Sequence, residues 1–454
     1  MSSLIDISKP LALVTFYTED QELVARGTKD PKSNIDNDVV SINTVRDMGA
    51  DAPTFTVNLT RHKKWDEWVT SNDLVIIEMQ RPPEARSAMF FGLVDDCRKN
   101  VMVSDNEVQR VVTITGRGLS KAFIEWEMGY VPESEVVDSS IGWIQNHNVQ
   151  LAGSSGDKIL EEVWNGIAKK YVDYKWGKKG NLFKVAQKKL SFRPNVFLQN
   201  DMSMINYTGS MWAFFKKIAD APFNELFWEI EDGHPTLILR PTPFNKADWN
   251  KLPLHTLQDK DVVNDSLGRS DLETYTLYSV GVDTLFSSND IFKTLGIQPI
   301  WYKPYAKKYG IQRLHVTSLY AAVSEKSAGP TTVTLVKSMQ TDLYNWNIKN
   351  NDYYNGVLVV KGDNKYKIGE RLRYESNETG DTKEFYVTSV NHQFENFGTW
   401  VTVLGVTRGI NPTDRFTSPV GKSEAYSGLG LADYNPKAAL AVLEGNNTTV
   451  SSTP

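Results

Sequence analysis

The side chains able to do chemistry in this 454-residue chain are six histidines, one cysteine and several adjacent carboxylates. Histidines three to five residues apart can share a metal ion. His62, His147, His234, His255, His315 and His392 all lie farther apart, so each reads as a surface or turn histidine and no metal site is expected. Cys97 stands in Asp95-Asp96-Cys97-Arg98-Lys99, which looks like a strand end. A nucleophilic thiol needs a base close in space, and the reading here is a structural thiol. Two carboxylates flanking a sugar bond make a glycosidase. Asp95/Asp96, Glu133/Glu135 and Glu161/Glu162 offer such pairs, and all of them read as solvated faces. Gly116-Arg117-Gly118 lacks the third glycine of a dinucleotide fingerprint, and neither a phosphate loop nor a nucleophile elbow is present. No catalytic residue and no cofactor are expected.

One charge cluster stands out. Between Asp157 and Arg193, ten basic residues face four acidic ones, with Tyr171, Tyr174 and Trp176 interleaved. Such a patch can meet an acidic partner, a wall polymer or nucleic acid, and its plainer reading is a solvated helix face and loop. The chain as a whole carries a net charge of −5, which argues against broad binding to phosphate backbones. A single cysteine excludes an internal disulfide. No apolar run reaches the ~18 residues of a membrane span. Residues 1–10 lack the charge-then-apolar order of a secretory leader, and none is expected. Twelve tryptophans and an 11% aromatic share suit large cores and interfaces alike.

These residues need elements to hold them. Residues 1–125 read as a first β domain, with short runs at 11–18, 39–46, 54–60, 73–81, 88–95 and 109–116. Thr54–Thr60 alternates cleanly, with Phe55, Val57 and Leu59 on one side. Residues 126–222 read as helix-rich: Ile159, Leu160, Val163, Trp164, Ile167 and Tyr171 share one helical face. Ser210 caps a second helix that buries Met211, Trp212, Phe214, Phe215 and Ile218, and Pro222 ends it. Residues 223–285 open a second β domain on the hairpin signal Glu231-Asp232-Gly233-His234-Pro235. A mixed helical insertion follows at 286–350, with helices expected near 305–323 and 336–346. The second β domain resumes at 351–411, and 412–454 reads as a tail. The fold class is α+β, mainly β, in which two barrel or sandwich domains flank an inserted helix-rich domain. No repeat is visible in the sequence, although the two β blocks leave room for a diverged duplication.

Three blocks carry a family resemblance. The first is Phe223–Glu229 with Asp232-Gly233 and Leu239–Phe244. The second is Gly268–Thr276. The third runs from Tyr354-Asn355-Gly356 through Gly362, Tyr366–Leu372, Phe385–Val387 and Val390–Phe394 to Thr402–Gly409. In order and spacing these blocks resemble the baseplate or tail hub proteins of long-tailed phages of Gram-positive hosts and of related contractile particles. The resemblance covers roughly 223–410, and the N-terminal part matches in layout only.

The resemblance implies a non-enzymatic homotrimer. Each chain would supply two domains similar to the tail tube subunit, so that three chains form a pseudo-sixfold ring. That ring would join the hexameric tube, or a distal tail protein, to a threefold spike or tip. It would sit beneath the tape-measure protein among the baseplate proteins. The location would be the virion tail, assembled in the host cytoplasm. DNA would pass through the channel without specific binding, which suits a neutral or acidic lumen with the 157–193 patch turned away. The motif residues taken from the blocks are Asn224, Glu225, Gly233, Arg240, Pro241, Pro243, Gly356, Gly369, Arg408 and Gly409. Gly233 suits a turn with positive φ, and Gly356 and Gly369 suit turns. Pro241 and Pro243 fix an extended exit from their strand. Arg240 and Arg408 either bridge carboxylates of a neighbouring subunit or stand as surface arginines. The other readings are a tail-associated cell-wall hydrolase and a receptor- or carbohydrate-binding tail protein. Against the hydrolase, the 44 residues after Ile410 read as too few for a catalytic domain.

Overall fold

A computed structural model describes residues 10–28, 37–82, 84–104, 107–128, 153–168, 186–194, 196–198, 207, 209–282, 299–322, 332–377, 380–396 and 399–417. His147, Glu133, Glu135, residues 169–185 of the basic cluster and everything after Thr417 lie outside this set.

The chain opens with strands β1 (Leu11–Tyr17), β2 (Glu22–Thr28), β3 (Val39–Asp47), β4 (Thr54–Thr60), β5 (Leu74–Gln80), β6 (Ser87–Ser104) and β7 (Glu107–Gly118). Short helix α1 (Trp65–Trp68) follows β4, and α2 (Ser120–Glu125) follows β7. The middle holds β8 (Glu127–Met128), α3 (Gly156–Val163) with a π turn to Ala168, β9 (Gln187–Leu190), β10 (Val196–Leu198), β11 (Gly209–Ser210) and α4 (Met211–Ala219). Then come β12 (Asn224–Glu231), β13 (His234–Pro241), α5 (Lys246–Lys251), β14 (Leu254–Gln258) and β15 (Val262–Gly268). A further stretch supplies β16 (Leu277–Val282), β17 (Ile300–Trp301), α6 (Lys303–Tyr309), β18 (Arg313–Ser318), β19 (Tyr320–Ala322) and α7 (Thr332–Asn347). The last strands are β20 (Tyr354–Lys361), β21 (Arg371–Glu375), β22 (Thr382–Glu395) and β23 (Trp400–Ile410).

Local chemistry accounts for these elements. In β4 the phase of Phe55, Val57 and Leu59 buries all three. The Ser210 hydroxyl accepts a hydrogen bond from the Ala213 amide, capping α4, whose apolar side is buried as expected. Asp232 and Gly233, at φ 50° and 78°, form the tight β12–β13 turn.

The protein is mainly β. A 13-stranded sheet, almost wholly antiparallel, runs β15-β20-β23-β22-β3-β4-β7-β6-β5-β1-β2, with β21 on another stretch of β22 and β14 parallel to β21. It does not close into the expected barrels: among the described residues no ladder joins β2 to β3. The edges approach all the same. A Cβ on Gly27 of β2 would stand 3.0 Å from the Val39 Cβ of β3. The two β blocks therefore meet as one sheet, because Ser389–Glu395 of β22 pairs antiparallel with Asp47–Ser41 of β3.

The sheet repeats itself. In the N-terminal strand set, one row crosses Ile42, Val57, Ile114 and Cys97. In the C-terminal set the matching row crosses Asp265, Leu358, Leu404 and Val390. A bulge interrupts β3 between Val39 and Ser41, and β15 is interrupted at the same distance from the row, between Val262 and Asn264. A second bulge lies between Val94 and Asp96 of β6, and its counterpart lies between Val387 and Ser389 of β22. Bulges are specific local features, and two in matching places make β3, β4, β7 and β6 equivalent to β15, β20, β23 and β22.

Each strand set has its own apolar cluster, one around Phe16, Val57 and Ile114, the other around Leu358, Phe385 and Leu404. A third cluster joins α2, α3, α4, β16 and α7. The β12–β13 hairpin belongs to two of these. Phe227 and Ile238 enter the C-terminal sheet cluster, while Trp228, Leu237 and Leu239 enter the helical one.

Four details differ from the sequence reading. The β12–β13 hairpin, read as part of the second β domain, pairs with β9 instead. The helix expected over 305–323 stops at Tyr309, and Arg313–Ser318 is a strand parallel to β16. β2 was missed, and β6 is far longer than the run read at 88–95. Residues 412–417, read as tail, are tied down. Arg415 is buried against the Trp249 ring at 3.9 Å and donates to the Glu384 and Arg408 carbonyls.

Candidate functional site

The strand pairing that joins the two sets is underlain by a buried polar cluster. Arg46 lies in phase with Ile42 and Thr44 on the core side of β3. Its guanidinium donates to the Glu229 carboxylate of β12 and stands 3.2 Å from His392 Nε2 of β22. The other Glu229 oxygen accepts from the Ile368 amide at 2.8 Å. His392 Nδ1 lies 3.0 Å from the Thr402 hydroxyl. Burial raises the Glu229 carboxyl, with the Arg46 charge opposing that rise. Burial, then the Arg46 charge, pushes His392 well below the usual histidine value, so the ring is neutral. Three distant stretches of chain are thus tied at one point. His392, read as a surface or turn residue, is fully buried.

The motif residues gather at a second point. The Arg240 Nε donates to Glu225 at 3.0 Å, and one Nη donates to the Gly369 carbonyl at 2.6 Å and to the Tyr386 hydroxyl at 2.9 Å. The Tyr386 hydroxyl in turn donates to Glu225 at 2.6 Å. Burial raises both the Glu225 carboxyl and the Tyr386 phenol. Gly369, at φ 74°, takes the left-handed backbone that favours glycine, and a Cβ there would also sit 2.2 Å from an Arg240 Nη. Asn224 donates to the Ala219 carbonyl at the end of α4. Arg408 stacks on Trp346 at 4.0 Å and bonds to the Trp346 carbonyl and to Asn347 and Asn350. Neither arginine is therefore a free surface group reaching for another subunit; both hold this chain's own elements together. Asn224, Glu225, Trp346, Tyr386 and Arg408 line one cleft of about 440 Å³.

The remaining motif residues are separate. Gly233 closes its hairpin, and Pro241 ends β13 opposite Asn224. Pro243 follows in the segment between β13 and α5. A Cβ on Gly356 would fall 1.9 Å from the Ser266 carbonyl, and one on Gly409 would fall 2.0 Å from the Phe385 ring.

The groups considered for catalysis are spoken for in other ways. Asp95 engages Arg117 and Lys121, and Glu161 engages Lys188. Burial pushes the Cys97 thiol up to about 11, away from a reactive thiolate. Among the described residues no cluster of three or more His, Cys, Asp or Glu side chains could hold a metal ion, and no helix is long and apolar enough to cross a membrane. From the basic cluster, Lys188, Lys189 and Arg193 pair with Glu161, Glu231 and Asp342.

No protein-family model matches the chain, and no curated protein matches it. Solved structures do. A tail protein from Neisseria meningitidis MC58 is similar with a TM-score of 0.52 at 12% identity, over 87% of this chain and 96% of that one. The 43 kDa tail protein of prophage MuSo2 from Shewanella oneidensis is similar with a TM-score of 0.50 at 11% identity, over 87% of this chain and 98% of that one. At these identities the likeness is one of fold, and it extends over nearly the whole of both relatives.

Proposed function

We propose that this chain is a structural baseplate or tail hub of a phage-type tail, with three copies forming a ring of six similar strand sets. The ring joins a hexameric tail tube to a threefold tip and surrounds the channel through which DNA passes. The observation that carries this reading is the repeat within the sheet: two strand sets share their rows and two of their bulges, and sit edge to edge in one chain. A protein built this way offers a sixfold-like surface from threefold symmetry. The fold likeness to two tail proteins supports the same reading.

In this role the chain meets the tail tube or a distal tail protein on one side and a spike or tip protein on the other. The tape-measure protein and baseplate proteins complete its surroundings in the virion tail. The two tube-like domains correspond to 1–125 and, within 223–285 and 351–411, to the strands β14, β15 and β20 to β23 of the large sheet. The helical parts, 126–222 and 286–350, stand outside the ring; they share one apolar cluster with the β12–β13 hairpin and β16, which supports treating these as one body. A net charge of −5 suits a conduit to which DNA does not adhere. The association with Gram-positive hosts rests on the sequence blocks alone.

Light scattering on the purified chain tests the reading. The expected mass is about 154 kDa, three times the 51.2 kDa chain. A monomer or dimer that persists at tens of micromolar overturns it, as does a ring without threefold symmetry in electron micrographs.

A further inference from the structure

We propose that the far half of β6 pairs antiparallel with β15 of a second copy of this chain, in the register that β22 and β3 use within one chain. The proposal rests on the ring reading above and names the strands that would close it.

The internal joint is the template. The far half of β22 leaves β21 after Tyr386 and takes β3 as its new neighbour from Ser389 onward. Its equivalent, β6, leaves β5 after Leu93 in the same manner. From Asp95 to Ser104, however, β6 has β7 on one side and no ladder on the other among the described residues. The equivalent of β3 is β15, which ends the sheet and, among the described residues, pairs with β20 alone. Each half of the joint is thus present once more, unpaired among the described residues, at a different place on the same chain. Free strand edges with open amides and carbonyls attract a partner strand.

Transposing the internal register gives the pairing. Phe394 faces Ile42 inside the chain, so Val101 faces Asp265 of the second copy. Asn100 then faces Ser266, Lys99 faces Leu267 and Arg98 faces Gly268, which sets Lys99 diagonal to Asp265. Exposure agrees with this assignment. Val101 is 58% exposed and Val263 61%, and they lie on the two strands in question. Phe394, the counterpart of Val101 at the internal joint, is buried. Such a contact is head-to-tail, using different surfaces on each copy, and closes into a ring when the rotation fits.

Disulfide trapping in the full chain tests the register. The parent is Cys97→Ser, which removes the native thiol, and to it Val101→Cys and Asp265→Cys are added. Directly opposed residues in an antiparallel pair lie about 4.5–5.5 Å apart at Cα, within the ~4.4–6.8 Å span of a disulfide. Mild oxidation is expected to give covalent dimers and trimers on a non-reducing gel. The pair Val101→Cys with Ser266→Cys puts the thiols on opposite faces and is expected to stay uncrosslinked. A trimer by light scattering whose 101/265 pair does not crosslink overturns the strand pairing and leaves the ring standing. Equal crosslinking of 101/265 and 101/266 overturns the register. A monomer that does not crosslink overturns both. Amide exchange on the unmodified trimer is an independent check: residues 262–268 are expected to exchange slowly there and fast on dilution to monomer, and fast exchange in the trimer overturns the pairing.

Discussion

Arg46 and Arg269 occupy equivalent places, each four residues beyond Ile42 and Asp265 in their matching rows, with Arg46 inside β3 and Arg269 one residue past the end of β15. Their surroundings have nothing in common. Arg46 is buried between Glu229 and His392, under a strand joint made within the chain. Arg269 is exposed, with its guanidinium 5.0 Å from the Tyr354 ring. One backbone plan therefore carries two kinds of edge: one sealed over a polar lock, the other left open. What distinguishes them is the β12–β13 hairpin, which reaches under the first with Glu229.

The strongest way to break this contrast is Arg46→Ala. It leaves the Glu229 carboxylate buried without its cation, and losing one partner of a buried pair costs about 3–5 kcal/mol. Urea unfolding should show that loss as a lower midpoint at unchanged slope; a loss below about 1 kcal/mol would mean the lock is not what seals the joint. Gly356→Ala comes next. Its counterpart in β4 is Phe55, so one strand has a large core side chain where the other has none. With φ at 152° and a Cβ colliding with the Ser266 carbonyl, the change should cost about 2–4 kcal/mol and loosen β15 from β20.

His392→Gln tests the lock through pH. The native ring is held neutral, its folded pKa lying below the unfolded value near 6.5. The unfolded chain therefore binds the extra proton below that pH, and stability falls as pH drops from about 7 towards 5. The slope contributed is up to about 1.4 kcal/mol per pH unit. The variant should lack this contribution, so that wild type and variant converge on acidification. Equal slopes for the two proteins would remove His392 from the account. The smallest effect is expected for Arg269→Ala, within about 0.5 kcal/mol in the monomer.

Much of the sheet could be read from the residues. Thr54–Thr60 showed its bounds and its buried side, and Asp232-Gly233 and Ser210 marked a turn and a cap where both occur. β2 escaped notice because the side it turns to the core carries Leu23, Ala25 and Gly27, two of them too small to give an apolar signal, while Glu22 and Arg26 face out. The far half of β6 was missed for a related reason: Asp95, Asp96, Arg98, Lys99 and Asn100 look like a turn when their partner strand is not in view. Over Arg313–Ser318 the apolar Leu314 and Val316 alternate with polar residues, and the aromatic residues before and after concealed that period of two.

The polar lock was half legible. Arg46 follows Ile42 and Thr44 at steps of two, and His392 sits between Val390 and Phe394 on the same rhythm, so both could have been assigned to the core side. What no local pattern supplies is the carboxylate that makes this burial tolerable, because Glu229 lies 183 residues from Arg46. The motif arginines failed in the opposite direction. Arg240 and Arg408 read as groups for another subunit because their intramolecular partners, Gly369 and Tyr386 for one and Trp346 for the other, are also distant in sequence.

The β12–β13 hairpin has both faces occupied, Phe227 and Ile238 on one side and Trp228, Leu237 and Leu239 on the other. It works as a rivet through two plates. The helical body cannot rock against the sheet without drawing aromatic side chains out of both at once, so mechanical load entering either part is borne by the whole molecule.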